Sequence, residues 1–172
     1  MLKQYIKSNN NKNMSVQLNE KIVYNRNICE LASNPFEQYL NKFNPTINFF
    51  IRQTNCSRGY IGEWIIINNK LYCSQIKGTI ENEKQIDINY FFKTEQEKFA
   101  NWFSGDLKIV KGNVIIYNYG FDSIYEDEII LTINKGIVTD TKIINNRNKT
   151  KEELKMKEMI DLIIRNNDIN VP

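Results

Sequence analysis

The chain of 172 residues contains no histidine. That absence excludes Ser-His and Cys-His nucleophilic chemistry, histidine general bases and every zinc site built on imidazole. Its three cysteines, Cys29, Cys56 and Cys73, are odd in number and include no CxxC pair, which fits a reducing compartment. An apolar run of about 18 residues and a secretory leader are both missing, so the reading is a soluble, cytoplasmic protein without a membrane partner. A dominant charge sign is missing too. Lys and Arg outnumber Asp and Glu by 23 to 20, and a net +3 is too small a field to hold nucleic acid or an anionic membrane unless the charge is segregated.

What is present describes a globular domain. Hydrophobic residues at 41% and aromatic residues at 12% suffice for a core, and a single domain of this length buries about 70% of the surface its unfolded chain exposes. The mean hydropathy of -0.50 comes from asparagine and lysine rather than from blocks of charge. Residues 1–16, with their Asn-rich stretch, read as a flexible N-terminal arm, and 17–172 as one globular domain.

Turn residues and periodicity divide that domain into elements. "KIVYNRNICEL" reads as a hairpin, Lys21 to Tyr24 and Ile28 to Leu31 about an Asn-Arg-Asn turn. "SNPFEQYLNKF" reads as a helix capped by Asn34, with Phe36, Tyr39, Leu40 and Phe43 on one face. Tyr60 to Ile67 and Lys70 to Lys77 flank Asn68-Asn69, a pair that tolerates the positive φ of a two-residue turn, and a ragged strand follows to Ile88. In "KTEQEKFANWFSG" the spacing predicts a second helix, capped by Thr94 and Glu97 and ended by Gly105. Two further hairpins are expected, about Lys111-Gly112 and about Asn134-Lys135-Gly136. A last helix from Lys151 to about Arg165 has Thr150 and Glu153 as its capping box and an apolar stripe of Leu154, Met156, Met159, Ile160, Ile163 and Ile164, by which it is expected to dock. The fold class is α+β: a curved antiparallel β-meander of about six to eight strands, with a barrel as the alternative, packed with three helices including the C-terminal amphipathic one.

"SRGYIGEW" concentrates candidate chemistry. Alternation sends Tyr60, Gly62 and Trp64 to one face and leaves Glu63 in an otherwise apolar row, where it needs a partner or a raised pKa. Gly62 reads as a gap filled by a neighbouring ring. Arg58 is suited to grip a carboxylate or phosphate. A second cluster, "YNYGFDSIYEDE", sets Tyr119, Tyr125 and Glu126 about a loop. The candidate ligand- or partner-binding residues are therefore Arg58, Tyr60, Glu63, Trp64, Tyr119, Tyr125 and Glu126. Asp122, Glu126, Asp127 and Glu128 carry oxygen donors, but their spacing matches no EF-hand loop, so neither a metal nor any other cofactor is indicated.

Three ordered blocks, "SRGYIGEWIIINNKLYCSQIKG", "FANWFSGDLKIVKGNVIIY" and "GFDSIYEDEIILTINKGIV", resemble those of a family of small uncharacterised bacterial proteins, over residues 17–146. That family has no established activity, so the resemblance implies no catalytic or binding residue. Together these features lead to a cytosolic binding protein of the immunity, anti-defence or regulatory kind, with a protein partner, since Tyr, Trp and Arg dominate interface hot spots. The alternatives are an enzyme or small-molecule binder for a nucleotide or sugar, and a nucleic-acid-binding protein.

Overall fold

Two-residue turns with positive φ set the frame. Asn25-Arg26 (φ 49° and 63°) joins β1 (Glu20–Tyr24) to β2 (Asn27–Leu31), and Asn68-Asn69 (50° and 60°) joins β3 (Tyr60–Ile67) to β4 (Lys70–Ile80). Lys135-Gly136 (48° and 77°) does the same for β7 (Ile124–Asn134) and β8 (Ile137–Asn145). Left-handed conformation at both central residues gives a turn whose twist matches that of its strands. The computed structural model describes residues 17–51, 53–81 and 84–168, and the expected arm at 1–16 lies outside them.

With β5 (Lys84–Asp87) and β6 (Gly105–Ile116) the sheet has eight strands in the order β3-β1-β2-β6-β7-β8-β4-β5, and β3 also pairs with β4. Seven strands thus form a ring, with β5 attached to β4 outside it. The meander is antiparallel except for β1 and β3, which run parallel through Ile22↔Trp64 and its neighbours. Between β4 and β8 the ring closes on one residue pair, Lys70↔Ile137. Three helices complete the expected α+β architecture: α1 (Phe36–Phe43), the short α2 (Ile88–Phe91) and the C-terminal α3 (Lys151–Asp168).

Three expectations are corrected. Lys111-Gly112 is no hairpin turn but a point inside the single strand β6, where the register against β7 slips between Lys111 and Val114. The positive φ of Gly112, 78°, serves a bulge that bends the strand without ending it. The segment from Thr94 to Gly105 is also not a helix. Its capping bonds form, Glu97 N–H to Thr94 Oγ1 at 3.3 Å and Lys93 N–H to Glu97 Oε2 at 2.6 Å. The chain then leaves the helical path because β4 offers unpaired backbone. Cys73 N–H donates to Lys98 O and Ala100 N–H to Leu71 O, both at 2.9 Å. At α1 the Asn34 side chain bonds the Glu37 carboxylate rather than a backbone amide.

The core fills the ring. Ile22, Leu31, Leu71, Ile76, Leu107 and Leu131 are fully buried, each worth about 1.5–3 kcal/mol relative to an exposed side chain. At one side Phe36 of α1 meets Tyr39, Tyr60, Phe91 and Trp102 at ring separations of 4.8 to 6.3 Å. A smaller cluster of Ile116, Ile124 and Leu154 lies apart from this core and carries α3.

Candidate functional site

The group at the centre of the opening motif is one the sequence reading passed over, Glu20. At the start of β1 its carboxylate is fully buried, with Oε1 accepting from Arg58 Nε at 3.0 Å and Oε2 from Trp64 Nε1 at 2.6 Å. The parallel pairing of β1 with β3 puts it there: Gly62, without a side chain, leaves the space the carboxylate occupies, and its backbone amide also donates to it. Gly62 therefore makes room for the Glu20 carboxylate as well as for the edge of the Trp64 ring. Burial pushes the Glu20 carboxyl above its ordinary range, against the opposing Arg58 charge and the Trp64, Gly62 and Arg58 hydrogen bonds.

Arg58 is consumed by this arrangement. Its side chain is 7% exposed, Nη2 donates to Leu18 O at 2.9 Å, and the guanidinium lies 5.7 Å from the Tyr60 ring centre and 5.6 Å from that of Phe121. Arg58 Nη1 and Tyr60 Oη are buried with no hydrogen-bond partner among the described residues. Burial holds the Tyr60 phenol far above its usual range, so it stays neutral. Arg58, Tyr60 and Trp64 thus meet one another around Glu20.

The other candidates stand apart from that cluster or at its margin. Glu63 is on the outer face of β3, near Lys77 Nζ at 3.8 Å, with both side chains about half exposed or more. Tyr125 is buried, its hydroxyl accepting from Asn19 Nδ2 at 3.4 Å, and Tyr119 is exposed. Glu126 accepts from Asn113 Nδ2 at 3.2 Å and pairs with Arg147 at 3.2 Å. Arg147 also meets Asp127 at 2.5 Å, bridging two carboxylates that strand alternation alone would separate. Asn113 chiefly holds the Glu126 carboxyl low, and Arg147 that of Asp127. Glu128 is buried, accepting from Tyr125 N–H at 3.1 Å. The loops carrying Arg58 and Tyr119 share one end of the sheet, since Gln17 bonds both Ser57 and Gly120.

Two surface features lie elsewhere. A groove of about 880 Å3 runs over β3, β4 and β5, with Ile61, Lys77, Lys84, Asp87 and Tyr90 among its lining. None of the candidates but Tyr60 lines it. The second feature is α3, which departs from expectation. Leu154, Glu158 and Asp161, spaced i, i+4 and i+7, face the domain. Leu154 packs on Ile116 and Ile124, Glu158 accepts from Asn118 Nδ2 at 2.9 Å, and Asp161 shares a depression with Lys108 and Phe121. Met156, Met159, Ile160 and Ile163 lie on the opposite side and are 48–54% exposed. Of the expected stripe Leu154 docks, beside the polar Glu158, while Met156, Met159, Ile160 and Ile163 turn outward.

Among the described residues no helix is long and apolar enough to cross a membrane. No family model, characterised protein or solved structure matches the chain.

Proposed function

We propose that this chain is a binding protein that engages a protein partner through α3, in the bacterial cytoplasm, of the immunity, anti-defence or regulatory kind. The observation that carries the reading is the outward turn of Met156, Met159, Ile160 and Ile163. An i, i+3, i+4, i+7 row of flexible and branched apolar side chains is what a helix presents to an apolar groove, and methionine adapts to irregular partners. The buried Glu20–Arg58 pair supports the same reading, because its strongest donors and acceptors are spent inside the protein.

A photo-crosslinking residue in place of Met159, expressed in the host, should capture one protein. Ile160→Glu together with Ile163→Glu should abolish capture and leave the circular dichroism and melting temperature unchanged, since both side chains are half exposed. Capture that survives both substitutions, or turnover of a nucleotide or sugar by the purified chain with no protein captured, defeats the proposal. The groove over β3 to β5 favours the second reading, a small-molecule binder, because its volume falls in the range of ligand sites.

A further inference from the structure

β8 is paired along one side and nearly bare along the other. β7 pairs with it from Asp127↔Asn145 to Asn134↔Ile137. β4 meets it at Lys70↔Ile137, and Val138 N–H donates to Asn69 O at 2.8 Å just beyond. From Thr139 to Asn145 the far edge has no backbone partner among the described residues.

Two bonds show which amides point outward. Asn146 N–H donates to Glu126 O at 2.7 Å, so alternate residues before it, Ile144 and Lys142, face β7. Thr141, Ile143 and Asn145 then face the open edge. In agreement, the Thr141 amide is bonded by the carboxylate of its own neighbour, Asp140 Oδ1 at 2.8 Å. The register slip opposite Thr132 and Ile133 leaves Thr139 as an extra residue, and it bounds the regular run.

An unpaired edge is a template for another strand, and charge decides which strand fits here. In a two-fold antiparallel pairing of β8 with itself, one residue sits on the axis and faces its own copy. With Asp140 or Lys142 on the axis, like charges meet. With Ile143 there, Lys142 faces Ile144 and no charge is matched. With Thr141 there, Asp140 faces Lys142 of the second copy and Lys142 faces its Asp140, two complementary pairs from one contact.

We propose that this chain forms a two-fold dimer by antiparallel pairing of β8 with β8 of a second copy, centred on Thr141. The two Thr141 residues exchange backbone N–H to carbonyl bonds. Asp140, released from its own strand's amide, reaches Lys142 of the second copy. Ile143, now 76% exposed, comes opposite Thr139 of the second copy, where the regular run ends. Since β7 holds the other edge of β8, the contact uses the open edge of both copies and stops at two. Asp140 and Lys142 border the depression that also holds Asp161 of α3, but the outward stripe of α3 is not used, so each proposal can fail alone.

Sedimentation equilibrium of the full chain over a range of concentrations tests this. The wild-type chain should show a monomer–dimer equilibrium. Asp140→Lys and Lys142→Asp should each weaken dimerisation about tenfold or more, because two attractive cross-strand pairs become repulsive. The double swap D140K/K142D rebuilds both pairs with signs reversed and should recover most of the affinity. Under mild oxidation a Thr141→Cys chain should crosslink to its copy, as hydrogen-bonded partners have Cα atoms about 5.5 Å apart, and the native Cys29, Cys56 and Cys73 are buried. A wild-type chain that stays monomeric, a dimer indifferent to either single swap, or a double swap no better than the singles overturns the proposal.

Discussion

Replacing Glu20 by glutamine keeps the volume and removes the charge. Arg58, 7% exposed, then has no anion, and the Trp64 indole N–H faces an amide that can offer it only one oxygen. Breaking a buried pair by removing one partner costs about 3–5 kcal/mol, most of it the stranded charge. At about 2–4 °C per kcal/mol for a domain of this size, the melting temperature should fall by about 6–20 °C. Arg58→Met alone should cost a similar amount. The double variant E20Q/R58M strands no charge, so it should be more stable than the sum of the singles implies by about 2–3 kcal/mol. Urea unfolding followed by tryptophan emission reads all four chains. An E20Q cost below about 1 kcal/mol, or strict additivity, refutes the account of Arg58 as an internal counter-ion.

Gly62 and Gly120 should respond to alanine for different reasons. A Cβ at Gly62 would lie 2.5 Å from Glu20 Oε2 and 2.8 Å from Trp64 Nε1, so Gly62→Ala should cost about 3 kcal/mol by overpacking. Gly120 has open space around it and a φ of +67°, so Gly120→Ala should cost only about 1–2 kcal/mol of backbone strain; thermal melts that reverse this order contradict the packing described. Arg147→Ala should let Asp127 titrate closer to its ordinary value, while Glu126, held mainly by Asn113, moves less. Both carboxyls are held low in the fold, so their contribution is present above the ordinary carboxyl range and lost as pH falls through the lowered values, and Arg147→Ala should shrink that acid loss. Carboxyl NMR titrations check this, and a larger shift at Glu126 than at Asp127 would sink it.

Local chemistry was legible where it acts alone. The Asn68-Asn69 and Lys135-Gly136 turns and the Thr150–Glu153 capping box, whose bonds are 2.7 and 3.2 Å, appear as their residues imply. What escaped depends on distant chain. Thr94 and Glu97 form a helix start, and the helix is then overridden by two backbone bonds to β4. Gly112 suits a turn or a bulge equally, and the long partner β7 selects the bulge. Glu20 is one acid just before an expected strand, and only the parallel pairing of that strand with one some 40 residues on shows that Arg58, Gly62 and Trp64 converge on it. The signal available was Arg58 itself, an arginine at a strand entry whose nearest carboxylate in sequence, Glu63, turns to the other face. The outward turn of α3 was hidden because a helical stripe does not say which side is the inside.

That outward turn also has a thermodynamic side. The described face of α3 toward the domain rests on one buried apolar side chain, Leu154, and one hydrogen bond from Asn118. Burying a leucine is worth about 1.5–3 kcal/mol, far less than the interlocked strands of the ring. Local opening of the helix therefore lies well below global unfolding on the free-energy scale. A partner that grips the stripe can shift or order α3 without disturbing the core, so the sheet and its tail are free to change on separate terms.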